Sequence, residues 1–391
     1  MRDGWTETTP NVRRFEELAF LKRGHDLPAQ SRVDGHYPVV ASNGPVGLHN
    51  ECVGPIPGVI TGRSGTIGKV MYLESGYWPL NTTLYVTDFK GNNAKFVALT
   101  LETMHLENFA GGTTVPSLDR KVFRSELVFV PSVVEQKRIV DVVSSVDAYI
   151  DALQQQADTA RAARNAVLHE LLYAGGADWT ETTVSTLLSR SIGGVWGTEP
   201  GTDQEEVTVV RSTEFTKSGI LNFATGVPRS IKSSQLSSRA LGEGDILLEK
   251  SGGGPEQPVG RVVYVQSEIP PRFVCSNFIQ LLTPIQQKVL PKFLFLVMWL
   301  WHFENKTLEF QAQTTGIRNL RTPDYLEQFI ALPPLVEQKR IVEIVSAMDD
   351  VIQSTERAVT DAKNLRSGLL SDLLSGEHEI PASYDSLLGA A

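Results

Sequence analysis

Apolar residues recur along two stretches of the chain at alternating steps of four and three residues. In residues 131–174 the pattern comprises Ile139, Val143, Val146, Ile150, Leu153, Ala157, Ala160, Val167 and Leu171. In residues 333–376 it comprises Ile341, Val345, Met348, Ile352, Val359, Ala362, Leu369 and Leu373. This spacing is typical of the seam of a coiled coil and predicts two long helices. Thr355, Arg164 and Arg366 interrupt the two seams.

The two predicted helices are copies of one sequence. PSVVEQKRIV at residues 131–140 recurs as PPLVEQKRIV at residues 333–342, and 333 minus 131 gives an offset of 202 positions. A capping box of Ser132 and Glu135, and the pair Pro333-Pro334, mark where the helices begin. Two equal seams of one chain can bury one another. We therefore predict that the helices pack as an antiparallel coiled coil, in preference to each helix packing only on its own globular segment.

The globular segments that precede the helices are also related. The sequence WTETT at residues 5–9 recurs at residues 179–183. Residues 60–70 and 248–262 each predict a strand that ends in a glycine-rich loop with basic and hydroxyl side chains, followed by another strand. The sequence therefore predicts an α+β protein in which two similar α/β domains alternate with the two long helices, with internal pseudo-two-fold symmetry. Such a molecule usually engages a target that is itself doubled.

The repeat divides the chain into five predicted segments. They are a first domain, a first helix, a second domain, a second helix and a tail, at residues 1–130, 131–174, 175–332, 333–376 and 377–391. The second domain is longer than the first by 158 minus 130, or 28 residues. One scaffold with different loops suits two different recognition specificities.

Composition narrows the class of protein. The two cysteines, Cys52 and Cys275, lack a nearby partner, which argues against a disulfide framework or a zinc knuckle. No secretory signal opens the chain and its longest apolar run, residues 293–301, is too short to span a membrane, so we predict a cytoplasmic protein. The net charge of −9 argues at first against nucleic acid, but the excess acid lies mainly in the helical segments and the tail.

Motifs of enzymes fail in this chain. Residues 62–69 resemble a phosphate loop, but the spacing is wrong and Val70 stands where a hydroxyl would bind magnesium. Pro323-Asp324 with Glu337 and Lys339 imitates a metal-dependent nuclease, but the first repeat has Lys121-Val122 in place of Pro323-Asp324. We interpret both EQK triplets as solvated first turns of helices, and we predict a chain without catalytic residues or a metal site.

The order of domain, EQKRIV helix, domain and EQKRIV helix resembles the specificity subunits of type I restriction-modification enzymes. The resemblance covers nearly the whole chain, and its most specific elements are the two EQKRIV segments and the G-x-T-x-P-x-L run at residues 112–118. The second domain departs from that run, with TTGIRNL at residues 314–320.

The resemblance implies two target recognition domains, each reading half of a split double-stranded DNA sequence, and helices that act as a ruler for the unread spacer. It also implies that the helices dock two methyltransferase subunits, which bind S-adenosylmethionine, and that restriction and translocase subunits, which use ATP and Mg²⁺, join for cleavage. No cofactor is then expected in this chain itself.

Basic, hydroxyl and amide side chains on the predicted loops are the candidates for DNA contact, because they can hold phosphates or read base edges. In the first domain they are Asn43, Arg63, Ser64, Thr66, Lys69, Thr113 and Thr114. In the second domain they are Lys250, Ser251, Arg261, Thr315, Arg318 and Asn319. The candidates for helix packing and partner assembly are Ile139, Val143, Val146, Ile150, Ile341, Val345, Met348 and Ile352.

Two other functions remain open from the sequence. The first is a non-enzymatic coiled-coil scaffold that binds protein partners rather than DNA, which the acidic charge favours slightly. The second is a nuclease or other enzyme. DNA affinity with a steep salt dependence distinguishes a recognition subunit from a scaffold.

Overall fold

A computed structural model describes residues 5–111, 116–216, 218–252, 258–266, 272–314 and 317–388. Contacts divide the chain into two compact units. Unit 1 combines residues 1–155 with 356–391, and unit 2 comprises residues 156–355.

The strands of unit 1 are short and antiparallel for the most part. In chain order they are β1 (Val12–Arg14), β2 (Phe20–Arg23), β3 (Tyr37–Ala41), β4 (Gly44–His49), β5 (Gly58–Gly62), β6 (Val70–Leu73), β7 (Trp78–Pro79), β8 (Thr83–Asp88) and β9 (Leu127–Phe129). They form a four-stranded sheet in the order β2-β8-β5-β6, a three-stranded sheet in the order β4-β3-β7, and the pair β1-β9. The helices of this domain are α1 (Phe15–Leu18), α2 (Ala94–Thr103) and α3 (Arg120–Phe123).

The long helix α4 (Val133–Tyr173) follows the first domain, and the strands of unit 2 come after it. They are β10 (Thr180–Thr183), β11 (Leu188–Gly193), β12 (Glu205–Val210), β13 (Val227–Ile231), β14 (Ile246–Glu249), β15 (Ser251–Gly252), β16 (Val262–Tyr264), β17 (Phe273–Cys275), β18 (Ile279–Pro284), β19 (Gln311–Thr314), β20 (Ile317–Leu320) and β21 (Phe329–Leu332). The shorter helices are α5 (Ser233–Arg239), α6 (Pro291–Phe303) and α7 (Thr322–Leu326). The second long helix is α8 (Leu335–Leu373), and the tail contains α9 (Asp385–Leu388).

The second domain repeats the topology of the first. Its four-stranded sheet has the order β11-β18-β14-β16, its three-stranded sheet the order β13-β12-β17, and β10 pairs with β21 as β1 pairs with β9. In both three-stranded sheets the central strand has one antiparallel and one parallel neighbour. The predicted pair of similar α/β domains is therefore confirmed.

The second domain gains length where loops are free to grow. Residues 211–226 connect β12 to β13, whereas a turn of Ser42 and Asn43 makes the equivalent connection between β3 and β4. Helix α5 follows β13 as a further addition. The sheet orders do not change, because these insertions lie outside the strand pairing.

The long helices pack on each other and on the domains at the same time. In unit 1 the beginning of α4 and the end of α8 share one hydrophobic cluster with the first domain, through Ile139, Val143, Leu370 and Leu373. In unit 2 the end of α4 and the beginning of α8 share a second cluster with the second domain, through Leu168, Leu172, Ile341 and Val345. The helices run antiparallel in each unit. Both kinds of helix packing that the sequence allowed occur together.

The predicted seam positions are buried to different degrees. Ile139, Val143, Ile341 and Val345 are completely buried, and Ile150 is 6% exposed. Three others are half-buried, namely Val146, Met348 and Ile352.

The interpretation of the EQK triplets as solvated first turns is wrong for both glutamines and for Glu135, which is 3% exposed. Gln136 and Gln338 are completely buried. The Gln136 amide oxygen accepts a hydrogen bond from the Asn93 backbone N–H at 2.9 Å, and that of Gln338 accepts one from the Leu290 N–H at 2.7 Å. Asn93 and Leu290 are the N-cap residues of α2 and α6. Each glutamine thus fixes a long helix to a domain helix by satisfying a buried N–H group.

None of the helices in the described part of the chain is both long and apolar enough to cross a membrane.

Candidate nucleic-acid interface

The backbone at Arg63 is held by three hydrogen bonds at the end of β5. The N–H groups of Arg63 and Ser64 both donate to the Thr82 carbonyl, at 2.8 and 3.2 Å. The Arg63 carbonyl accepts from the Leu118 N–H at 2.8 Å. Since the backbone groups of Arg63 are satisfied inside the domain, its position is fixed while its side chain projects as half-exposed.

Lys250 occupies the equivalent backbone position at the end of β14. The N–H groups of Lys250 and Ser251 both donate to the Phe278 carbonyl, at 2.9 and 3.2 Å. The Lys250 carbonyl accepts from the Leu320 N–H at 2.8 Å, and Leu320 lies 202 positions after Leu118. We call this shared arrangement of three backbone hydrogen bonds the loop cradle. It makes Arg63 and Lys250 structural counterparts, as the repeat suggested.

In the first domain the loop after the cradle, residues 63–69, folds back tightly. A side chain at Gly62 would place its Cβ 1.8 Å from the Thr66 carbonyl oxygen, so only glycine fits there. The Lys69 ammonium donates to the Asn43 carbonyl at 2.7 Å, which joins the loop to the β3–β4 turn. Asn43, Thr66 and Lys69 are exposed. Five of the seven candidates in this domain therefore lie in one neighbourhood.

Thr113 and Thr114 lie outside the described residues. The residues on either side of them lie next to each other, because Gly111 and Ser117 exchange two backbone hydrogen bonds of 3.1 and 2.9 Å. Ser117 also forms an isolated bridge with Ser64. The DNA contact predicted for the two threonines stays a prediction.

In the second domain the candidates surround the short strand β15. Ser251 pairs with Asn319 across β15 and β20, and the Ser251 hydroxyl donates to the Asn319 side-chain oxygen at 2.5 Å. The Lys250 ammonium lies 3.3 Å from the Gln280 side-chain oxygen. Arg318 pairs with Gly252 in the next register position. Thr315 lies outside the described residues.

Arg261 differs from the other candidates because a carboxylate binds its guanidinium. It donates two hydrogen bonds of 2.8 Å to Glu249, which is 3% exposed, and a third of 3.0 Å to the Ser212 carbonyl. The hydrogen bond with Glu249 raises the pKa of Arg261 despite burial, which acts in the opposite direction. Because Glu249 and the Ser212 carbonyl already accept hydrogen bonds from this guanidinium, it is poorly suited to bind a phosphate. The predicted DNA contact stays untested, and we leave Arg261 out of the surface proposed below.

Two exposed residues beside the cradles were not predicted from the sequence. Arg23 ends the edge strand β2, and its Nε donates to the carbonyl of Asn81 at 3.4 Å, next to Thr82 of the cradle. The basic pair Lys22-Arg23 on a short strand was the available signal. Phe278, whose carbonyl forms the second cradle, is 48% exposed, and an exposed aromatic ring can make apolar contact with a thymine methyl group in the major groove. Nothing in its local sequence marks it.

The two candidate interfaces carry different charge. The first places Arg63, Lys69 and Arg23 around its cradle, whereas Gly193 occupies the β11 position that matches Arg23. The Lys250 ammonium lies 2.8 Å from the point where a Gly193 Cβ would be, so it fills this space. Across the described ranges, no group of three or more His, Cys, Asp or Glu side chains is arranged to hold a metal ion.

Comparison with known protein families decides what kind of protein carries this repeat. The model of the type I restriction modification DNA specificity domain matches residues 9–160 and again residues 212–361. The chain belongs to this family. The first match covers nearly all of the first domain, and the second match covers the second domain from residue 212 onward, after β12. Each match includes a loop cradle and most of the long helix that follows.

Individual relatives agree with this DNA specificity family. The type I restriction enzyme MjaVIII specificity subunit of Methanocaldococcus jannaschii is 23% identical over 299 residues, which cover 72% of this chain and 69% of that protein. The crystal structure of the S subunit of a type I restriction-modification system from M. genitalium shares the fold, with a TM-score of 0.55 and 16% identity, covering 93% of this chain and 95% of that one.

A further solved structure, from work on complex assembly and conformational transition of the type I restriction-modification system, has a TM-score of 0.53 and 14% identity. It covers 93% of this chain and 98% of that chain. The fold predicted from the repeat, two recognition-type domains alternating with two long helices, is confirmed.

Proposed function

We propose that each domain reads one half of a split DNA sequence with the residues around its loop cradle. The observation that carries the proposal is that one backbone arrangement presents Arg63 in the first domain and Lys250 in the second. A fixed backbone with exchangeable side chains allows one scaffold to recognise two different DNA sequences.

The side chains around the cradles suit both parts of DNA recognition. Exposed cations such as Lys69 and Arg23 can pair with phosphates and so fix the register of the domain on the duplex. Arg63 and Lys250, whose backbones are held in place, can donate to the acceptor edge of guanine. Asn43 and Ser64 supply amide and hydroxyl groups for further base edges.

We further propose that the long helices dock two methyltransferase subunits. Exposed apolar residues recur on them with the offset of 202, as Tyr149 on α4 and Val351 on α8, at 58% and 54% exposure. Val134 and Val336 form a second such pair, at 60% and 84%. Matched apolar patches on two copies of one helix favour two copies of one partner.

In this proposal the chain contributes recognition and assembly, and the partners contribute chemistry. S-adenosylmethionine would be held by the methyltransferase subunits, and ATP with Mg²⁺ by restriction and translocase subunits that join the complex. The target is double-stranded DNA in the cytoplasm.

The test is a single-molecule methylome of the native host beside a strain that lacks this chain. We expect one split, asymmetric adenine-methylation motif to disappear, which would give both half-sites at once. If the methylome does not change, the purified chain with its methyltransferase partners is titrated with genomic DNA fragments at rising salt. Binding without sequence preference there would reject the proposal and favour a protein scaffold.

A further inference from the structure

Two arginines that interrupt the predicted helix seams form ion pairs between the helices. In unit 2 the Arg164 Nε of α4 donates to the Asp349 carboxylate of α8 at 2.9 Å. In unit 1 the Arg366 Nε of α8 donates to the Asp147 carboxylate of α4 at 2.5 Å. Arg366 lies 202 positions after Arg164, and Asp349 lies 202 positions after Asp147. The two ion pairs are therefore repeat-related copies of one another.

Each arginine also contacts the adjacent domain. The Arg164 guanidinium lies over the ring of Trp299 in α6, 4.4 Å from its centroid. The Arg366 guanidinium donates to the Glu102 carboxylate of α2 at 2.7 and 3.3 Å. We call each set of three contacting helices, two long and one from a domain, a junction. A junction fixes the long helices in register and also fixes a domain on them.

Burial makes these contacts specific. Arg164 is 5% exposed, and the Arg366 side chain is 18% exposed. A charge in that environment costs free energy unless its partner stays in place, so a shift of one helix along the other would strand the guanidinium. Buried polar groups in a coiled-coil seam are known to specify register in this way, at some cost in stability.

We propose that the two junctions set which spacer length the protein accepts between its half-sites. The inference rests on the proposed function, because it assumes that each domain reads one half-site. A domain held at one register and one angle on the helices presents its loop cradle at one position along the duplex. Loosening a junction would let the domain move, so that half-sites one base pair nearer or farther become acceptable.

The test uses the complete complex with its methyltransferase subunits and duplexes that carry the native half-sites. The spacer is the native length, one base pair shorter or one longer. The variants are Arg164→Asp, Asp349→Asn and the charge swap of Arg164→Asp with Asp349→Arg. Arg357→Asp is the control, because it makes the same charge change at an exposed position of α8.

We expect wild type and the control to methylate the native spacer strongly and the altered spacers weakly. Arg164→Asp and Asp349→Asn should reduce that discrimination by about tenfold, and the charge swap, which remakes the interhelical ion pair without the contact to Trp299, should restore part of it. Asp349→Asn keeps the arginine on Trp299 and is the milder variant should Arg164→Asp fail to fold.

A purely structural role gives a different result. Methylation would then fall by the same factor on all three spacers, along with the melting temperature, and the preference for the native spacer would persist. That outcome overturns the proposal. Failure of the proposed function is separate, since the wild-type complex would then show no preference for the split sequence on any spacer.

Discussion

The two domains share a backbone and differ in what they place on it. Both end a central strand in the loop cradle, with hydrogen bonds that agree to 0.1 Å between Arg63 and Lys250. A two-residue turn joins β3 to β4 in the first domain, whereas residues 211–226 make the equivalent and much longer connection in the second. Hydrogen-bonded frames tolerate exchange of side chains and loops around them, whereas a change in strand pairing would disturb the core. Specificity can thus diverge while the fold does not.

The hydrophobic contacts of the long helices should be equally essential in both units. Ile139 and Ile341 are each completely buried, so Ile139→Asp and Ile341→Asp bury an unpaired carboxylate. We expect either change to lower the free energy of unfolding by about 4 kcal/mol or more and to abolish folding or assembly. Thermal melting measures the first effect, and co-purification with the methyltransferase subunits measures the second.

Val134→Asp is the matched control for the helix variants. Val134 is 60% exposed near the start of the same helix as Ile139. It should leave the melting temperature unchanged and weaken only the docking of the partner. Normal melting of both isoleucine variants would contradict the role assigned to the helix packing.

The two buried glutamines should stabilise their units to different degrees. The Gln136 amide nitrogen donates to Asn92 and to the Pro131 carbonyl at 2.8 and 3.0 Å, while that of Gln338 has one short bond, to the Pro333 carbonyl at 2.8 Å. Each alanine variant leaves an N-cap N–H group unpaired, so we expect either change to lower the free energy of unfolding by about 2 kcal/mol. The decrease should be larger for Gln136→Ala than for Gln338→Ala. Urea denaturation measures both losses. Gln156→Ala, at an exposed position of α4, should leave the free energy of unfolding almost unchanged. An equally small effect of Gln136→Ala would show that its hydrogen bonds to the domain helix are not needed for stability.

The cradle residues should affect DNA binding and leave stability unchanged. Arg63→Ala and Lys250→Ala each remove one cation, so we expect binding of the native site to weaken on the order of tenfold and the salt slope to fall by about one. Arg261→Ala is the contrasting variant, since it strands the buried Glu249 and should lower the melting temperature. Fluorescence anisotropy at several salt concentrations gives affinity and slope. Stronger loss of DNA affinity for Arg261→Ala than for the other two, in a folded protein, would reverse the assignment.

The smallest expected effect concerns the tail, which contacts Arg138 of α4 in unit 1. Arg138 and its counterpart Arg340 each form an ion pair with the glutamate three residues before, Glu135 at 3.4 Å and Glu337 at 3.5 Å. Arg138 also donates to both oxygens of Asp385 at 2.8 and 2.7 Å. The hydrogen bond from Arg138 lowers the pKa of Asp385. The stabilisation is therefore present above the ordinary pKa of an aspartate and is lost as the pH falls through the lowered value.

Asp385→Asn should accordingly lower the melting temperature slightly at neutral pH, and the difference from wild type should vanish in acid. Asp372→Asn, at an exposed position of α8, is the control. A difference that grows as the pH falls would have the wrong sign for this ion pair.

Most of the architecture could be predicted from the sequence, because the repeat shows the same packing pattern at two places in the chain. The seam spacing located both long helices, and the repeat predicted the two strands whose ends carry the cradles. Long-range contacts explain the errors. A polar EQK triplet at a helix start resembles a solvated turn, because the domain helix that covers Gln136 is distant in the sequence. The ion pair of Arg261 with Glu249 was likewise not visible in the sequence, and the DNA contact predicted for Arg261 stays a prediction. Arg164 and Arg366 looked like interruptions of the seam, because their partners lie on other helices.

The central claim is that the two cradles read different halves of one DNA target. The most direct measurement is a methylome of cells that express wild type, Arg63→Ala or Lys250→Ala with the partner subunits. We predict that each variant relaxes or loses sequence preference in one half of the split motif, that the two variants affect opposite halves, and that the other half is kept. Relaxation of the same half by both variants, or an even loss across the whole motif, would contradict the account.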